Sequence, residues 1–161
     1  MISRTMVGVG ALAVLCALAI GMPLSGSAQS PSANAALVSQ IQAQLKTATF
    51  HSGELAQKVT AVAGVQLHMH HVLNCLEGQG GKDYLASAGY PCQGQGNGII
   101  PDLQVAVMHN VPGASSALQE VQTCQMLALQ AAASTDLNQS QPYALVIARH
   151  LQTASQDLAA Q

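Results

Sequence analysis

Gln66-Leu67-His68-Met69-His70-His71-Val72-Leu73-Asn74-Cys75-Leu76-Glu77-Gly78 is the stretch from which the fold is read, because its apolar residues recur at helical spacing while its polar ones concentrate the chain's distinctive chemistry. Met69, Val72, Leu73 and Leu76 continue a face that starts with Leu55, Val59, Val62 and Val65, all compatible with about 100° per residue. This face predicts a helix from about Ser52, as its cap, to Leu76, with Glu54 favourably placed in the first turn. Three of the chain's six histidines fall on that helix, and His68, His71 and Cys75 share one stripe of it while His70 points away.

Upstream, Leu37, Ile41 and Leu45, with Val38 and Ala48 beside them, predict a first helix that Thr49-Phe50-His51-Ser52-Gly53 interrupts. Downstream the composition changes: residues 77–101 hold seven glycines, two prolines and two of the three tyrosines, which reads as a long loop with at most a helical turn between Asp83 and Ala88. Asp102 after Pro101 is placed to cap a short helix through Met108 or Asn110, broken at Val111-Pro112-Gly113. Ser116 and Gln119 have capping-box spacing before a helix bearing Leu118, Val121, Cys124, Ala128 and Ala132. A polar turn, Ser134 to Gln141, leads to a last helix with Pro142 near its start and Leu145, Val146, Leu151, Ala154 and Leu158 on its buried face. Asn138-Gln139-Ser140 matches the short glycosylation pattern. No strand-like alternation and no fixed repeat interrupts this series. The expected fold is therefore all-α: an antiparallel helical bundle of four main helices plus a short one, with a disulfide-closed glycine-rich loop.

Residues 1–28 carry a leader pattern: Arg4, an apolar run from Met6 to Ile20, then Ser25-Gly26-Ser27-Ala28. It reads as a cleaved signal peptide, because the run is shorter than the about 20 residues a spanning helix requires. Leu15 before Cys16 is bulky where lipid attachment favours a small residue. Residues 29–161 then form a single domain, secreted or periplasmic, with no membrane span in the mature chain. Its four basic side chains against seven acidic ones exclude a nucleic-acid partner, which needs a basic footprint. Charged residues make up 7% of the chain, well below the roughly 25% of ordinary globular proteins, so few ion pairs are lost on acidification.

An exported chain folds where disulfides persist. Cys75, Cys92 and Cys124 remain after the leader, and Cys75 with Cys92 is the favoured pair because it ties the end of the second helix to the far side of the loop. A closed loop of this length is worth about 3 kcal/mol. Cys124 is then expected as a buried free thiol, with an intermolecular bridge or a metal thiolate as its alternatives.

His68 and His71, three residues apart on a rigid helix, can offer imidazole nitrogens to one transition-metal ion, zinc or copper. His150 on the last helix and His51 before the second are the candidates to complete the set; His109 beside the proline break is weaker, and Met69 and Met108 read as packing residues before copper ligands. Non-covalent haem between facing histidines is the alternative cofactor, since no C-x-x-C-H attachment sequence follows the leader. Glu-x-x-His pairs of a di-iron site do not occur. Gly94-Gln95-Gly96-Asn97-Gly98-Ile99 fails the dinucleotide pattern at its last position, and neither a nucleophile elbow nor a phosphate loop is present. The expected protein is not an enzyme but a metal binder. The alternative is an envelope or interaction module that uses the closed loop as its binding surface, with a homo-oligomer or a protein partner left open.

Overall fold

A computed structural model describes residues 30–159, and the leader reading lies outside them. Five helices pack together: α1 (Pro31–Thr49), α2 (Val62–Glu77), α3 (Ile99–Met108), α4 (Ala114–Ala133) and α5 (Leu137–Ala159), with no strand among the described residues. The expected bundle of four longer helices and one short one is present.

Several boundaries differ from the sequence reading, and each difference has a physical cause. The interruption after α1 is not a break. The chain continues through π-helical turns, Phe50–Leu55, and a last α turn, Ala56–Lys58. Ser52 caps nothing: its hydroxyl donates back to the carbonyls of Ala48 and Thr49 at 3.1 and 3.2 Å. The true corner comes at Val59 and Ala61, both extended, and there the free carbonyls of Ala56 and Val59 accept from the Gln141 side chain at 3.3 and 3.0 Å. A cap supplied from α5 leaves no local sequence signal. Gly64 sits against Val59 so closely that a Cβ there would stand 2.8 Å from the valine, which lets α2 turn back tightly.

Other caps also move. α3 begins after Gly98, so Asp102 lies inside its first turn, where it accepts from Gln44 Nε2 at 2.8 Å and from the Asn97 backbone and side chain at 3.0 Å each. α4 begins after left-handed Gly113, which puts Ser116 inside the helix instead of at its cap. α5 begins at Leu137, so Pro142 is an interior residue; the Asp136 carboxylate accepts from the Asn138 backbone at 2.9 Å at this end. Asn138 is exposed but Ser140 is fully buried.

The core is aliphatic. Ile41, Leu45, Met69, Leu73, Leu76, Leu103, Ile147 and Leu151 are fully buried, and alanines such as Ala117, Ala128, Ala144 and Ala154 fill the narrow crossings between them. Met69 is therefore a packing residue, whereas Met108 is 69% exposed. Cys75 and Cys92 form the expected disulfide with their Cα atoms 5.3 Å apart. Cys124 is buried and free, and burial, then the nearby Glu120 charge, pushes its thiol up to about 12. At the neck of the loop Gly78 and Gly98, both at positive φ, pass backbone against backbone: a Cβ on Gly78 would meet the Asn97 carbonyl. No described helix is long and apolar enough to cross a membrane.

Candidate metal centre

The helical hairpin creates the site. His51 lies about two turns before the corner and His68 about two turns after it, so antiparallel packing sets them side by side, and His71 follows one turn further along α2. The π-helical turns carrying His51 shift the register of α1 in a way that local features of this kind often do at functional sites.

One ligand atom from each of His51, His68 and His71 lies within 4.8 Å of the other two. His51 Nδ1 is 3.2 Å from His68 Nδ1 and 3.1 Å from His71 Nδ1. The far side of the His71 ring is fixed: Nε2 stands 2.6 Å from the Ala88 carbonyl oxygen. A carbonyl only accepts, so Nε2 carries the proton and Nδ1 presents a lone pair to His51. The three-nitrogen arrangement is then short of hydrogens. A proton on His68 Nδ1 leaves the lone pairs of His51 and His71 facing each other, and a proton on His51 Nδ1 has to serve two acceptors. A cation that takes all three lone pairs removes the conflict. A tetrahedral centre with zinc–nitrogen bonds of about 2.0–2.1 Å separates its ligand nitrogens by about 3.3–3.4 Å, close to the two short separations here.

The electrostatics point the same way. Burial above all, then the charges His71 and His68 would carry, hold His51 down to about 4 from its ordinary 6.5. Burial and His71 also lower His68. These rings stay unprotonated at neutral pH, which is the form that ligates a metal.

The glycine-rich loop reaches back to the histidines. Ala88 ends a short 3-10 turn, Ala86–Ala88, which buried Asn74 clamps from α2: its Nδ2 donates to the carbonyls of Leu85 and Gly89 at 2.9 and 2.6 Å, and its Oδ1 accepts from the Leu85 backbone at 2.8 Å. Cys75, the next residue, adds the disulfide to Cys92. Asn74 was not singled out by sequence reasoning; its only signal is an amide on an otherwise apolar buried face.

Of the residues expected from the sequence, His68, His71 and His51 come together and His150 does not. His150 Nδ1 instead meets Glu120 Oε2 across the α4–α5 pair, where the two side chains are about one-third exposed. His109 is the C-terminal cap residue of α3. No protein-family model, curated protein or solved structure matches the chain.

Proposed function

We propose that the protein is a secreted or periplasmic helical bundle that binds one transition-metal ion, zinc or copper, through the Nδ1 atoms of His51, His68 and His71, and that it acts by binding rather than by turning over a substrate. The observation that carries this reading is the convergence of three imidazoles with the His71 tautomer fixed by the Ala88 carbonyl. A metal-ligating histidine commonly donates its other ring nitrogen to a carbonyl in this way, and such a partner orients the ligand. Three neutral nitrogens leave a fourth position for water or an exogenous ligand.

Haem receives less support. Its axial ligands approach a flat ring from opposite sides, whereas His51 has two neighbouring nitrogens at 3.1–3.2 Å on one shared centre. The loop as a partner surface rests on exposure alone: Leu85, Ala86 and Ser87 are exposed, while the Ala88 carbonyl faces His71.

Residues 29–161, purified, loaded with zinc or copper and desalted, retain about one equivalent by elemental analysis. Replacing His51, His68 and His71 together by alanine abolishes retention, while His150→Ala keeps it. Retention unchanged by the triple replacement sinks the site. An absorption spectrum of protein isolated without added cofactor, free of a Soret band, separates a simple metal from haem.

A further inference from the structure

His51 and His68 stand on opposite arms of the corner, so the distance between them is decided where the arms turn. On the first arm Ala56 is held at both of its backbone groups: its N–H donates to the His51 carbonyl, and its own carbonyl accepts from Gln141 Nε2 at 3.3 Å. On the second arm the carbonyl of extended Val59 accepts from the same nitrogen at 3.0 Å. The Val59 side chain fills the space that a Cβ on Gly64 would take, one turn before His68. Between the arms the Gln57 carbonyl lies 3.5 Å from Gln141 Nε2, and Gln57 Nε2 donates in return to the Gln141 carbonyl at 2.8 Å. One amide from α5 therefore ties both arms.

The corner has no means of closing itself from within. Helix ends commonly satisfy their last carbonyls through a left-handed glycine, and Gln57-Lys58-Val59-Thr60-Ala61 contains none. The side chain of Gln141 serves three of these carbonyls with two N–H bonds. Its position bears directly on the rings, because His51 Nδ1 meets two neighbours at 3.1 and 3.2 Å and a small drift of one arm opens both contacts.

We propose that Gln141 is a positioning residue for the histidine centre, fixing the approach of His51 to His68 and His71 through Ala56 and Val59 without itself touching an imidazole. Its effect on metal affinity rests on the metal reading given above, whereas its effect on the placement of the rings does not require an ion. Gln42 supplies the contrast. It bridges the same two helices, with Nε2 donating to the Ser155 carbonyl at 2.8 Å and Oε1 accepting from the Ser155 hydroxyl, but more than two turns before His51 and away from the corner.

The test compares Gln141→Met and Gln42→Met, each of which keeps the length of the side chain and removes its donor, in residues 29–161 below their melting transitions. In the metal-free protein the ring protons of His51 and His71, whose centroids are 4.6 Å apart, give nuclear Overhauser contacts that fade in Gln141→Met and persist in Gln42→Met. In a competition titration with a chelator, Gln141→Met weakens zinc about tenfold, the lower end of the range for outer partners of metal ligands, and Gln42→Met leaves it unchanged although it too lowers the melting temperature. Gln141→Arg, which returns N–H donors to the same carbonyls, recovers part of both the ring contacts and the affinity. Unchanged ring contacts in Gln141→Met overturn the proposal, as does equal loss in Gln42→Met or wild-type zinc affinity in Gln141→Met. A wild-type protein that retains no zinc sinks the metal reading instead, and the ring contacts then decide the role of Gln141 alone.

Discussion

The α4–α5 pair and the α1–α2 corner are built from different materials. Between α4 and α5 the contact is made chiefly by residues such as Ala117, Val121, Ala128, Ala144, Ile147 and Leu151, all buried, with His150 meeting Glu120 at the rim and the buried Cys124 thiol donating to the Ile147 carbonyl at 3.6 Å. At the corner, π-helical turns, a glutamine cap from another helix, a glycine that admits a valine, and a buried asparagine do the joining. Apolar packing is non-directional and tolerates a range of partners, whereas each polar closure requires one donor opposite one acceptor. The corner therefore fixes positions finely enough to converge three ring nitrogens, and the hairpin supplies the stability that lets it do so.

That contrast can be broken at several points. The largest effect belongs to the apolar side: Leu151→Ala removes a fully buried side chain and costs about 2–5 kcal/mol in chemical denaturation. Metal stoichiometry below the melting transition is unchanged, because no ligand moves. Cys75→Ala with Cys92→Ala comes next, at about 3 kcal/mol by the chain-entropy argument, and here zinc affinity falls as well because the turn that presents Ala88 loses an anchor. Loss of stability with affinity intact would show that the loop supports the fold but not the metal.

Asn74→Ala sharpens the point further. It deletes the clamp on Leu85 and Gly89 and is expected to weaken zinc by about 10–100-fold, the range typical for outer partners of metal ligands, in a competition titration with a chelator. An unaltered affinity would mean that Ala88 holds its place without the amide. The smallest effect is with pH. His51 titrates near 4 in the fold but near 6.5 when unfolded, so its contribution is fully present above 6.5 and is lost as pH falls from 6.5 toward 4, where the unfolded chain takes up a proton the fold refuses. Denaturation midpoints of the metal-free protein that rise on acidification through this window would contradict a neutral, enclosed His51.

The same division separates what was legible in the sequence from what was not. Leu37, Ile41 and Leu45, or Leu151, Ala154 and Leu158, announce their helices by spacing alone, and the Cys75–Cys92 pairing follows from the loop it closes, whereas Leu145 and Val146, expected on the buried face of α5, lie off that stripe and are 41% and 39% exposed. His68 and His71 were legible because one helix carries both. His51 was the harder member of the cluster: its neighbours Ser52 and Gly53 read as a break, and only the back-donation of Ser52 and the close approach of Gly53 to Ala148 show why the helix runs on instead. His150 looked equivalent by composition, yet its helix turns it toward Glu120. A single sequence records periodicity along one element, whereas the partner of an amide or an imidazole on another element is set by the packing as a whole.

The π-helical turns at Phe50–Leu55 have a consequence for how the protein tolerates change in length. Such turns hold one more residue than an α-helix would need over the same rise. Shortening this segment by one residue, at exposed Glu54 for instance, lets an unbroken α-helix re-form. The chain beyond the deletion then keeps its place, since the extra residue is what the wide turn absorbs, and the change falls on the angles of the residues inside the turn, His51 among them. The core stripe of α1 before Phe50 would survive the deletion, but the His51 ring would turn away from the position it shares with the rings on α2. The convergence of the three rings is thus a property of chain length as much as of residue identity, and a variant that keeps all three histidines can still lack it.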